Sequence, residues 1–122
     1  MDESFERAMS VRRKVLGNDY VDAVTAKATP FTAPFQQFVT RWAWGEAWLD
    51  DTLDPQARSL LTIAVVTVLG QLSEVRLHVR GALRNGCTPE QIAANPASHT
   101  GHYLAPTLGL TPVADAKQLA SR

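Results

Sequence analysis

The stretch from Asp54 to Gly86 constrains this chain more than any other, because it holds the longest apolar run, Leu60 to Leu69. Asp54-Pro55 precedes that run as an N-cap residue followed by proline at a first helical position. Ile63, Val65, Val66, Thr67 and Val68 are β-branched and would suit a strand. The apolar pattern is too long for a typical strand and begins with a cap, so it predicts a helix, ended by Gly70. The run is broken by Thr62 and Thr67 and is too short to span a bilayer. A helix apolar on nearly all sides belongs at the centre of a fold or between subunits. Ser73 is then the expected cap of a second helix, with Glu74 in its first turn complementing the dipole. On that helix Val75, Val79 and Ala82 form an apolar stripe, and Arg76, Arg80 and Arg84 a solvated or subunit-facing edge. Glu74 and His78, four residues apart, put a carboxylate and an imidazole on one face. Asn85-Gly86 closes the helix, and Thr88-Pro89-Glu90-Gln91 restarts another with a capping-box pattern.

The remaining segments look built to cover this unit. Asp2 to Leu16 reads as a helix with Phe5, Met9, Arg12 and Val15 near one face and Gly17 as its terminator. Arg12, with Arg13 and Lys14, reads as a solvated basic helix end rather than an anion site. Tyr20 to Lys27 is a second short helix, stopped by Thr29-Pro30. Pro34 opens a third, in which Phe35, Phe38, Val39 and Trp42 recur at helical spacing toward Trp44. In RWAWGEAW three tryptophans surround Gly45-Glu46. Glycine is expected to loosen the helix and let Glu46 project from its end into an apolar surround. A carboxylate desolvated by tryptophan has its neutral form favoured, as a general acid requires. The competing reading makes the tryptophans core or interface anchors and leaves Glu46 solvated. After Ala94 the pattern is interrupted by Asn95-Pro96, Gly101, Pro106 and Gly109, with a last short helix expected from Thr111-Pro112. His99 and His102 lack a nearby carboxylate and a third ligand, so they read as structural or solvated rather than as a metal site.

Composition removes several function classes. A chain of 122 residues, 45% hydrophobic, is read as one domain over 1–122. Twelve basic residues balance twelve acidic ones and no basic block is interleaved with aromatics, which argues against nucleic acid. The acidic start MDESFERAM lacks the apolar core of a secretory signal, and no span suits a membrane. The single cysteine, Cys87, has no second thiol for a disulfide, redox or metal motif, so a cytoplasmic setting is expected. The P-loop, dinucleotide fingerprint and nucleophile elbow are absent, and neither cofactor nor metal is expected.

RWAWGEAW, LDPQARSLLTIAVVTVLG and SEVRLHVRGALRNGCTPEQI together resemble the carboxymuconolactone decarboxylase family, and SVRRKVLGNDYVDAV extends the likeness toward the N-terminus. The resemblance implies an all-α, alkylhydroperoxidase-like bundle of about six helices with a central helical hairpin. In the redox relatives of that fold the paired cysteines would fall on Gln71 and Glu74 and the histidine on His78, while Ser59 takes the place of a glutamate. Without thiols the peroxidase chemistry cannot run. The implied activity is cofactor-free decarboxylation of 4-carboxymuconolactone to 3-oxoadipate enol-lactone in protocatechuate catabolism. The resemblance assigns catalytic roles to His78, Glu74 and Glu46, and substrate contacts to Trp44 and to Arg58 or Arg76. It also implies a homo-oligomer, a hexamer in the common case. The tail, 95–122, departs from the family: only His99, Tyr103 and Pro106 echo its pattern. Two alternatives follow from that departure, a non-catalytic oligomeric scaffold or binding protein of the same fold, and an isomerase or hydratase acting on another small acid.

Overall fold

A computed structural model describes residues 2–93 of the chain, and every regular element among them is helical. The expectations placed on 95–122, including His99, His102, Tyr103 and the last helix, lie outside the described residues. The chain divides into two compact units, Met1–Arg58 and Ser59–Arg122, each taken in turn.

In the first unit α1 (Glu3–Leu16) starts where Asp2 Oδ1 accepts from the Phe5 amide at 2.8 Å. Glu3 and Glu6 in its first turn and Arg13 and Lys14 in its last suit the helix dipole. Gly17 stops it with φ 87°, a conformation costly for any residue with a Cβ. α2 (Asn18–Ala26) follows, tied back by an Arg13 to Asp22 ion pair of 2.7 Å. Thr29 and Thr32 then bond each other's backbone amides, at 2.9 and 3.2 Å, and set up α3 (Ala33–Val39).

Gly45 and Arg12 depart from expectation in this unit. Gly45 does not end the third helix: the chain passes from α3 directly into a π-helix, Thr40–Ala47, whose C-cap Trp48 amide donates to Ala43 O at 2.9 Å, five residues back. The glycine serves close packing instead, since a Cβ there would lie 3.1 Å from the Ala8 Cβ. Arg12 is not a solvated helix end. It is 6% exposed, inside a core of Phe5, Ala8, Val15, Leu16, Val21 and Trp44. Its phase on α1 follows that of Phe5, Ala8 and Val15, so the guanidinium goes in with them.

Asp54 Oδ1 accepts from the Ala57 amide at 2.8 Å and caps α4 (Pro55–Val68), as its sequence requires. α4 buries only Ser59 and Ile63, while Leu61, Val65 and Val68 are 55%, 50% and 88% exposed. The helix apolar all round therefore leaves a broad apolar face exposed among the described residues, rather than sitting wholly inside them. Gly70, at φ 70°, turns the chain into α5 (Leu72–Arg84). Ser73 is not the cap of α5; Gln71 holds that position without a side-chain bond, which puts Ser73 one residue inside the helix. The stripe Val75, Val79 and Ala82 packs with Ile63, Cys87 and Ile92, and with Leu60 and Val66 against them. α6 (Pro89–Ala93) carries the expected capping box: the Thr88 amide donates to Gln91 Oε1 at 2.8 Å and the Gln91 amide to Thr88 Oγ1 at 3.1 Å.

Candidate active site

His78 lies on the buried face of α5, 7% exposed, between the core residues Leu77 and Val79. Burial pushes its pKa below the ordinary imidazole value, and the neighbouring Glu74 carboxylate opposes that shift. The ring is thus held neutral near pH 7. Glu74 Oε2 lies 3.8 Å from His78 Nε2, longer than a direct hydrogen bond and within reach of an ion pair when the ring is protonated. The carboxylate is about half exposed, so the pair spans the boundary between core and surface. Ser59 is fully buried, and its Oγ accepts from Asn85 Nδ2 at 2.9 Å. Arg76 and Arg80 form the exposed edge that their spacing predicts.

In the first unit Glu46 does not enter an apolar surround as expected: it is exposed on the π-helix and lines a groove of about 500 Å³ with Ser4, Arg7, Arg41, Trp42, Gly45 and Leu49. Trp44, the expected substrate contact, is buried and stacks on Trp48 at 5.2 Å between ring centroids. The tryptophan at the groove is Trp42. Arg41 is fixed by two contacts to the Asp2 carboxylate, at 2.9 and 3.3 Å, and lies 5.1 Å over the Phe5 ring. That hydrogen bond from Arg41, with those from Ser4 and the Phe5 amide, holds the Asp2 carboxyl well below the usual carboxylate range. Arg58 is drawn to Asp50, donating to its backbone oxygen at 3.1 Å and lying 3.7 Å from its carboxylate.

Each candidate thus has a defined place. Glu46, Trp44 and Arg58 belong to the first unit, and His78, Glu74 and Arg76 to the second. Sequence reasoning missed Arg7 and Arg41. Ser4 and Arg7 are three apart on α1, and Arg41, Gly45 and Glu46 share the π-helix, but only the packing of α1 on that helix joins the two sets. Among the described residues no group of three or more His, Cys, Asp and Glu side chains is placed to hold a metal ion. No helix among them is long and apolar enough to cross a membrane.

Comparison with known proteins bears on the same residues. The model of the Carboxymuconolactone decarboxylase family matches residues 33–100, from α3 past His78. A 4-carboxymuconolactone decarboxylase of Acinetobacter baylyi is 32% identical over 125 aligned positions, covering 91% of this chain and 93% of that protein. A nitrosuccinic acid decarboxylase of Metarhizium robertsii is 43% identical over 88 residues, 72% of this chain, and the match spans 62% of that relative's length. A 4-carboxymuconolactone decarboxylase of Pseudomonas putida is 42% identical over 48 residues, which is 38% of this chain and all of that sequence. No solved structure matches the chain.

Proposed function

The chain belongs to the carboxymuconolactone decarboxylase family, and from that premise we propose that it is a cofactor-free carboxy-lyase acting on a small carboxylated acid. 4-Carboxymuconolactone is the first candidate substrate. The observation that carries the reading is a buried His78 one turn from Glu74 in a chain with a single cysteine, together with 32% identity to a decarboxylase along nearly its whole length.

The chemistry asks little of the protein. In the lactone the bond to the departing carboxylate breaks, and its electron pair passes through the ring alkene to the lactone carbonyl, leaving an extended enolate and carbon dioxide. A proton then returns to carbon. The site must stabilise the developing oxyanion, exclude water and deliver that proton. A neutral imidazole N–H suits the first task, because it donates without burying a net charge in the ground state. Glu74 lies beside the ring and stabilises the imidazolium if the proton is passed to it. Glu46 is the competing proton donor. Where Glu46 is the donor, Arg7 beside it suits a substrate carboxylate better than Arg41, which already serves Asp2, or Arg58, which serves Asp50. Where His78 is the donor, exposed Arg76 on the same helix is the candidate contact.

Nitrosuccinic acid is a second candidate, favoured by the 43% identity to a decarboxylase of that acid. There the electron pair would pass to a nitro group, so the same demands on the site apply. The uncovered apolar face of α4 supports assembly as a homo-oligomer, with a hexamer as the family expectation. The test is to assay carbon dioxide release from both acids with the wild-type chain and with His78→Gln and Glu46→Gln. Loss of turnover in one or both variants supports the assignment, and near-normal turnover in both overturns it. An intact protein releasing carbon dioxide from neither acid would favour the non-catalytic scaffold instead.

A further inference from the structure

Arg12 is a buried cation for which the described residues supply no carboxylate. Its Nη1 donates to Thr40 Oγ1 at 2.9 Å and its Nη2 to Gln36 Oε1 at 2.8 Å, while Nε finds no partner among them. Burying a guanidinium without a counter-charge is unfavourable, and an apolar side chain of similar length would fill the space at lower cost. What the arginine supplies is a two-pronged grip. Gln36 and Thr40 are four residues apart, one turn of α3, and Thr40 is where the α-helix becomes a π-helix. Thr40 Oγ1 spends its own proton on Gln36 O at 2.8 Å, so it is oriented to accept from Arg12.

A second anchor lies one turn away on both helices. Ala8 and Arg12 are four apart on α1 and share a face. Thr40 and Gly45 are five apart, which is one turn in a helix bonded from i to i+5. The α1 pair Ala8/Arg12 therefore meets the π-helix pair Gly45/Thr40 turn for turn, and the match holds only while residues 40–47 keep the π register. Were the segment to revert to an α-helix, Glu46 would rotate relative to Thr40 by on the order of a quarter turn.

We propose that Arg12 is a positioning residue: with the Ala8 to Gly45 contact, its buried guanidinium holds the 40–47 segment in the π register that aims Glu46 into the Arg7/Arg41 groove. The inference rests on the decarboxylase reading only for the role it gives Glu46. The test compares Thr40→Val with Thr40→Ser, since serine keeps the hydroxyl that accepts from Arg12 and valine keeps the β-branched shape without it. Arg12→Lys joins them as a variant that keeps charge but loses the two-pronged reach.

Two readouts decide the matter. The first is the near-ultraviolet circular dichroism of the stacked Trp44/Trp48 pair, which reports the register directly. Thr40→Ser should keep the wild-type signal, and Thr40→Val and Arg12→Lys should lose it while still melting cooperatively. The second is decarboxylation kinetics, in which kcat of those two variants should fall about tenfold to a hundredfold with KM within about threefold. Wild-type dichroism and kcat in both Thr40→Val and Arg12→Lys overturn the proposal, as does equal loss in Thr40→Ser and Thr40→Val. If the wild-type chain decarboxylates neither acid, the functional reading falls, and the dichroism alone decides the role of Arg12.

Discussion

His78 Nε2 stands 3.8 Å from Glu74 Oε2, one helical turn away, with the ring buried and the carboxylate half exposed. Burial disfavours the imidazolium, and Glu74 is the neighbour that works against this. Glu74→Gln should therefore move the His78 titration, followed by its ring proton resonances, to lower pH than in the wild type. A shift to higher pH would contradict the electrostatic account. His78→Gln should lower kcat about a hundredfold to a thousandfold, the range for loss of one oxyanion donor.

The same shift makes stability depend on pH. His78 binds its proton more weakly in the folded chain than in the unfolded one, whose value is about 6.5. The unfolded state thus takes up protons first on acidification. The stability tied to neutral His78 is present above about pH 6.5 and is lost as pH falls toward the folded pKa. Denaturant titrations at descending pH should show this slope in the wild type and a shallower one in His78→Gln; identical slopes would count against it.

Ile63 is the buried apolar residue of α4 and packs with Val75, Val79 and Ala82. Ile63→Ala should cost about 2–5 kcal/mol of unfolding free energy in chemical denaturation. The neighbouring capping box is worth less: Thr88→Ala should cost about 0.5–2 kcal/mol.

The uncovered face of Leu61, Val65 and Val68 predicts self-association. Sedimentation equilibrium should give a mass above that of one chain, and Val65→Arg should reduce it. A monomer at all concentrations in the wild type would remove the oligomer from the account.

The elements readable in advance are those whose signals are local. Asp54-Pro55, Gly17, Gly70 and the Thr88/Gln91 box each act within one turn, and each is found where its chemistry places it. The features that were not legible depend on distant partners. Gly45 looks like a helix breaker until Ala8 lies against it. Arg12 looks solvated until Gln36 and Thr40 are seen to receive it. A helix as apolar as α4 cannot announce which face stays bare, because hydropathy around it carries no phase. The candidate site divides the same way. Glu74 and His78 follow from spacing along one helix, whereas Arg7 and Arg41 join Glu46 only through the packing of α1 on the π-helix.

The most direct measurement is carbon dioxide release from 4-carboxymuconolactone by the purified chain with no added metal or cofactor, run beside His78→Gln. The account predicts turnover by the wild type, with an enol-lactone product, and a loss of about a hundredfold to a thousandfold in the variant. Folded wild-type protein that leaves both this lactone and nitrosuccinic acid intact would contradict it.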